Sequence, residues 1–312
     1  MKFYNTGRQL TMFPTLAVCN IFPDTATLAH FARDYGFSGI DWSFDLTRIP
    51  ETSCQESDWL REIFDLSPLE VRFHCPFYQV DLGHSDPEEA KAAKYIFRRI
   101  ILLVSKAGGK YLTIHIGLGH NSTEPLSWNS TLKNLKEIVR FGAEHGVKVC
   151  LENLAWGWSS RPNLFEKLIR KSGAHVTFDI GHAHACESVQ TQQYSIEDFI
   201  TPHQGLILNA HVYHTETSGL GHLPPNHVED IEDRLELLLA SGCRWWTIEL
   251  KEQGTLIRTK GLIDNYLQRL PLACGLTEED QIRTSTACRG LARLCNFSKS
   301  RGAGGQGRRS VL

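Results

Sequence analysis

Six short apolar runs in this chain end on side chains that can bind metals. They are Val71-Arg72-Phe73-His74, Tyr111-Leu112-Thr113-Ile114-His115, Val147-Lys148-Val149-Cys150-Leu151-Glu152, Val176-Thr177-Phe178-Asp179, Asn209-Ala210-His211 and Trp246-Thr247-Ile248-Glu249. A carboxylate that closes an apolar strand is costly to desolvate unless it is paired or coordinates a cation. Glu152, Asp179, His211 and Glu249 together offer three carboxylates and one imidazole, a donor set suited to Mn²⁺, Co²⁺, Mg²⁺ or Zn²⁺. His74 and His115 neighbour that set in strand order. A lone strand-end histidine is as readily a hydrogen-bonded core residue as a ligand; if these two coordinate, the natural arrangement is a second metal bridged by Glu152.

Elements that would bring these residues together are legible in the pattern. Apolar runs rich in β-branched and aromatic residues near 13–19, 37–42, 69–74, 110–115, 147–152, 175–179, 206–212 and 245–250 alternate with helix-like segments. Asp86-Pro87-Glu88-Glu89 reads as a helix start, with a cap, a first-turn proline and two acids. Arg161-Pro162-Asn163 opens another helix in the same style. Gly108, Gly146, Gly173 and Gly242 each stand where a helix ends before the next strand. No antiparallel hairpin is signalled, and no glycine-rich phosphate turn follows the first strand, as an open doubly wound sheet would require. The expected fold is therefore α/β, a single (β/α)8 TIM barrel over residues 1–270. All six strand ends would then meet at its C-terminal mouth, with Glu152 and Glu249 facing each other across it.

Two loops extend the candidate site. In Asp179-Ile180-Gly181-His182 the glycine is expected to permit a tight turn that returns His182 to the mouth, as a ligand or as a donor to substrate oxygen. His222 lies in the Gly/Pro-constrained stretch Gly219-Leu220-Gly221-His222-Leu223-Pro224-Pro225, which could fold over the site. On strand seven His211 aligns with Asn209 and Tyr213, whereas His214 points the other way.

The bulk numbers narrow the function class. With 33 Lys+Arg against 35 Asp+Glu among 312 residues, the formal net charge is -2, so no overall basic field advertises nucleic acid or an anionic membrane. Nine cysteines show no C-x-x-C pair or regular spacing and read as free thiols of a reducing compartment. The N-terminus lacks a signal-peptide apolar region and no run of about 18 apolar residues occurs. The expectation is a cytoplasmic protein with no membrane partner; homo-oligomerisation is left open. Residues 271–312 carry seven Lys+Arg against three Asp+Glu and end Gly-rich, so this basic C-terminal extension is expected to be partly helical or disordered.

Phe73-His74-Cys75-Pro76-Phe77, Ile114-His115-Ile116-Gly117, Leu151-Glu152-Asn153, Phe178-Asp179-Ile180-Gly181-His182, His211-Val212-Tyr213-His214 and Thr247-Ile248-Glu249, one per strand and in this order, resemble the xylose-isomerase-like metal-dependent barrels over about residues 10–270. That group includes sugar isomerases and epimerases and the endonuclease IV type of apurinic endonuclease. In the epimerase branch the resemblance implies one divalent ion on Glu152, Asp179, His211 and Glu249, the two glutamates also acting as acid and base. In the endonuclease branch it implies three zinc ions, with His74, His115, His182 and His222 as further ligands. The chain departs from the endonucleases at Leu220, where they have an aspartate. It departs from the epimerases in Thr215-Glu216-Thr217-Ser218, where they place an arginine for substrate oxygens. Gly39-Ile40-Asp41-Trp42 reads more like the isomerase branch, which commonly has an acid at the Asp41 position, facing substrate. Trp156 and Trp158 offer flat faces on which a sugar or cyclitol ring could stack.

The function expected from these residues is divalent-metal-dependent isomerisation or epimerisation of a small polyhydroxylated carbonyl compound (a sugar, keto-sugar or cyclitol) through an enediolate. Zinc-dependent cleavage of abasic DNA or another phosphodiester is the alternative, with nucleic acid the less favoured partner. A barrel that binds sugar or metal without catalysis is a third reading, against which the presence of both Glu152 and Glu249 speaks.

Overall fold

A computed structural model describes residues 13–120 and 122–270; the basic extension 271–312 lies outside the described residues. Ten strands occur among them: β1 (Thr15–Cys19), β2 (Gly39–Ser43), β3 (Glu70–Cys75), β4 (Tyr111–Ile114), β5 (Lys148–Glu152), β6 (His175–Asp179), β7 (Ile207–Val212), β8 (Thr215–Thr217), β9 (Gly221–Leu223) and β10 (Trp245–Ile248). Eight of them close a parallel barrel in the order β1-β10-β7-β6-β5-β4-β3-β2. The chain thus folds as a (β/α)8 barrel, with helices between successive strands. The remaining two strands, β8 and β9, form a small antiparallel hairpin in the loop after β7. Sequence reasoning missed this hairpin, because three-residue strands carry no usable alternation; its one trace is Gly219-Leu220-Gly221, with φ of +88° and +69° at the two glycines.

Capping chemistry sets the helix boundaries. Asp86 accepts from Glu88 N at 2.9 Å and Pro87 occupies the first turn of the helix Pro87–Lys106. Thr52 and Gln55 make a reciprocal capping box at the start of Ser53–Phe64. Gly173 and Gly242 end their helices in the left-handed conformation, at φ +77° and +81°. Between barrel and helices, Phe97, Ile100, Ile101 and Val104 are at most 1% exposed. Burying each such side chain is worth about 1.5–3 kcal/mol.

Inside the barrel, alternation stacks the side chains in layers. Two residues before each strand-end candidate stands a member of the layer beneath it: Arg72 below His74, Thr113 below His115, Cys150 below Glu152, Thr177 below Asp179, Asn209 below His211 and Thr247 below Glu249. Much of this layer is a self-satisfied polar floor. Thr113 and Thr177 hydroxyls lie 2.7 Å apart, and Asn209 Nδ2 donates to Thr177 at 3.1 Å. The Arg72 guanidinium donates to Asn209 Oδ1 and Leu208 O and lies between the Tyr111 and Trp245 rings. Parallel register then levels the ends, pairing Asp179 with His211 and His211 with Thr247. His115 and Glu249 fall one residue past β4 and β10, at the loop starts.

Candidate metal centre

The barrel mouth gathers unsatisfied polar atoms around the His211 ring. His211 Nδ1 lies 2.9 Å from Glu249 Oε2, 3.2 Å from Glu152 Oε2 and 3.7 Å from Asp179 Oδ2. None of these four atoms has a hydrogen-bond partner, although each is buried. Orphaned polar atoms are rare inside proteins, and four converging ones mark a place for a cation. One donor atom from each residue lies within 4.8 Å of all the others, so the set fits a divalent ion.

Behind this set, His211 Nε2 lies 3.2 Å from Asp41 Oδ2, an acceptor that also receives the Thr247 hydroxyl at 3.0 Å. A carboxylate can only accept, so a proton on Nε2 meets Asp41, while Nδ1 is turned to the other carboxylates. Asp41, which the sequence suggested for substrate contact, is 2% exposed and stands at the back of His211. Burial works against a second proton on His211, but Glu152 and Glu249 outweigh it and raise its pKa well above the ordinary value. A proton there answers the same charge deficit that a metal would.

His74 and His115 flank Glu152 on the other side. His115 Nε2 is 3.2 Å and His74 Nε2 3.5 Å from Glu152 Oε2, and the two nitrogens are 3.4 Å apart. His115 Nδ1 donates to Cys75 O at 3.2 Å, which leaves its Nε2 lone pair directed at Glu152. Burial pushes the His74 pKa down to about 4, so this ring is neutral and open to coordination. Glu152 thus belongs to both donor groups and is placed to bridge them.

A third group stands at the rim. His182, Glu216 and His222 bring ligand atoms within 4.8 Å of one another. Asp179 Oδ1 caps the helix Ile180–Ala185 by accepting from His182 N at 2.6 Å, and that cap aims the His182 ring into the mouth. Gly181 stands within the helix Ile180–Ala185 rather than in the tight turn that the sequence suggested. It is needed because a Cβ there would fall inside the Tyr213 ring. The Tyr213 ring in turn stacks on His222 at 3.9 Å between centroids. Glu216 was missed as a site residue; its only sequence signal was being an acid beside a Gly-rich turn.

The two tryptophans line one small cavity together with Ile116, Gly117 and His120. Trp156 donates from Nε1 to Gly117 O at 3.3 Å and lies edge-on to His182, with ring centroids 6.2 Å apart. Trp158 packs edge-on against Trp128 at 5.1 Å. Asn153, from Leu151-Glu152-Asn153, clasps Asp179 through both backbone groups at 2.8 Å, tying the β5 and β6 ends together.

With this geometry the comparison with known proteins is direct. The model of the xylose isomerase-like TIM barrels matches residues 29–265. The chain belongs to that family. An uncharacterized protein of Methanocaldococcus jannaschii is 28% identical over 198 residues, covering 64% of this chain and 80% of its own length. A D-tagatose 3-epimerase-like protein is similar at 17% identity and a TM-score of 0.62, covering 81% of this chain and 97% of its own. Endonuclease IV from Thermus thermophilus is similar at 13% identity and a TM-score of 0.59, covering 82% of this chain and 99% of its own. At these identities the solved structures speak for the fold. The fold is thus shared with an epimerase-like protein and with an endonuclease, and the side chains of the mouth must decide between such activities.

Proposed function

We propose that the chain is a divalent-metal-dependent isomerase or epimerase of a sugar, keto-sugar or cyclitol ketone, acting by proton transfer through an enediolate. The observation that carries this reading is the pair of unpartnered carboxylate oxygens, Glu152 Oε2 and Glu249 Oε2, which approach His211 Nδ1 from strands three places apart around the barrel. Glu152, Asp179, His211 and Glu249 would hold the ion. When bound there, the ion would supply Lewis acidity to a substrate carbonyl and its neighbouring hydroxyl, which would acidify the C–H bond of the hydroxyl-bearing carbon. Glu249, with 20% of its side chain exposed, faces the opening and takes or returns the proton on that carbon. Glu152, at 1%, is held from the far side by His115 and can serve the opposite face. Asp41 would hold the His211 ring through Nε2, and Trp156 stands edge-on beside His182.

The charge of the mouth favours a small substrate over nucleic acid. Among the described residues, the loops that follow the barrel strands carry Arg48, Arg161 and Lys251 as their only Lys or Arg side chains. Against these stand acids such as Asp24, Asp45, Glu51, Asp86, Glu229, Asp230 and Glu252. A DNA-binding face needs cations at its phosphates, and this one is acidic.

A second reading, metal-dependent hydrolysis of a small phosphoester, is favoured by one observation: the donor group His74, His115 and Glu152 beside the first, which suits a two-metal site. The deciding experiment incubates the Mn²⁺-, Co²⁺- or Zn²⁺-loaded protein with ketoses and keto-cyclitols in D₂O and follows deuterium entry beside the carbonyl by NMR. Exchange that disappears in Glu249→Gln and Glu152→Gln is the expected result. No exchange, together with turnover of bis-p-nitrophenyl phosphate or nicking of abasic duplex DNA, overturns it in favour of phosphoester cleavage.

A further inference from the structure

We infer that Arg234 is a positioning residue for the mouth: its guanidinium holds together the chain segments that leave β6 and β7, and through them the carboxylate of Asp179. The need for such a clamp comes from the barrel itself. The β6–β7 register ends at the pair Asp179 and His211. Beyond it the two chains part, one into the helix Ile180–Ala185 and the other toward β8. The segment 213–231 contains no Lys or Arg, so a cation must reach it from another element.

Arg234 does so from the first turn of the helix Glu232–Ser241, with only 2% of its surface exposed. Its Nη1 donates to His214 O at 2.6 Å and to Ile180 O at 3.2 Å, which links the two departing chains through one nitrogen. Its Nη2 donates to Asp230 O and lies 3.3 Å from His214 Nδ1. The Asp233 carboxylate stands 3.9 Å from Nε and is 81% exposed, so water screens it. The guanidinium is thus held by carbonyls, which satisfy its hydrogens without cancelling its charge. Burial pulls its pKa below the ordinary arginine value, against Asp233, Asp179 and Asp230, and an arginine stays charged through such a shift.

Asp179 is thereby gripped on both sides. Asn153 clasps its backbone at 2.8 Å from the end of β5, and Arg234 takes the carbonyl of the residue that follows it. Between these two grips the unpartnered Oδ2 is aimed at His211 Nδ1. The geometry uses the planar fork of the guanidinium; a lysine ammonium, a point charge on a flexible stem, has no such fork.

This role rests on the metal-dependent reading above, and the test separates the two. Full-length wild type, Arg234→Lys and Arg234→Ala are compared by hydrogen–deuterium exchange mass spectrometry and by titration with Co²⁺, with and without guanidinium chloride too dilute to unfold the protein. In both variants exchange is expected to quicken in segments 180–186 and 213–217 while the barrel strands keep their protection. Co²⁺ binding should weaken about tenfold or more. Guanidinium should restore both properties in Arg234→Ala, where the side chain has left space for it, and neither in Arg234→Lys. Exchange that is unchanged or uniformly faster, no recovery with guanidinium, or wild-type behaviour of Arg234→Lys overturns the clamp. Local loosening with wild-type Co²⁺ affinity overturns its service to Asp179. A wild type that binds no Co²⁺ defeats the metal reading, and the exchange pattern with its rescue then decides the clamp alone.

Discussion

Two donor sets share one mouth and are built on different principles. The inner set, Glu152, Asp179, His211 and Glu249, stands on or one residue past barrel strands, where parallel register and a two-residue alternation over a polar floor fix every side chain. Its first three members are at most 1% exposed. The rim set, His182, Glu216 and His222, stands on a six-residue helix and a hairpin of three-residue strands, and is about one-fifth exposed at Glu216 and His222. The barrel therefore determines the inner geometry to within the precision of its own core, whereas the rim depends on local caps, stacking and loop turns. Rigid elements hold a site more closely than loops do, so the inner set is fixed more closely than the rim set.

Asp179 joins the two regions, and substituting it sharpens the contrast most. Its Oδ2 is an orphan facing His211, while its Oδ1 caps the helix that carries His182. Asp179→Asn should remove the inner ion and lower turnover at least about a hundredfold, yet leave the rim group in place, because an amide oxygen still caps the helix. Asp179→Ala should lose the ion and a further ~1 kcal/mol of stability from the missing cap. Metal counts and urea unfolding of the two variants check this; equal losses of stability in both would show that the regions are not separable.

Asp41→Asn is the next largest effect. The amide can no longer serve as a charged acceptor for His211 Nε2, and loss of such a partner typically costs about 10–100-fold in metal affinity. Titration of the inner ion should show that loss. An unchanged inner affinity would remove Asp41 from the account of His211.

How much of this was legible beforehand follows the same division. The barrel, its helix boundaries at Asp86, Pro162, Gly173 and Gly242, and the convergence of His74, His115, Glu152, Asp179, His211 and Glu249 could be read directly, because strand alternation and strand-end position are sequence-periodic properties. Asp41 could be found as a buried acid, but not its place behind His211, which depends on the β1–β2 and β1–β10 register. Glu216 could not be singled out. Its role rests on cross-strand pairing in a hairpin too short to leave a pattern, and an acid in a Gly-rich loop is ordinarily a solvated one. Gly181 was read for its backbone freedom, yet the constraint on it comes from a residue far along the chain, Tyr213.

That contact makes Gly181→Ala a test of whether the rim is tied to the core. The added methyl must displace the buried Tyr213 ring, and Tyr213 carries His222. Overpacking of this kind costs about 1–3 kcal/mol, to be measured by urea unfolding. The rim should loosen along with the fold, while inner-ion binding in the folded fraction persists. A variant of wild-type stability would mean that Tyr213 moves freely and does not position His222.

Gly219→Ala asks the converse question, whether the hairpin can loosen without the core noticing. Gly219 holds φ +88°, and a Cβ there would meet nothing within 4 Å, so strain is the whole effect. A left-handed alanine costs about 1–2 kcal/mol, borne by a turn whose opening exposes little of the barrel. Global unfolding should therefore move by less than that amount. Hydrogen exchange in the hairpin should quicken by up to about tenfold, since each ~1.4 kcal/mol is a factor of ten. Inner-ion affinity should not move at all. A drop in the inner affinity of the same size would mean that the hairpin closes over one cooperative centre, and the division between a rigid inner site and an adaptable rim would have to be abandoned.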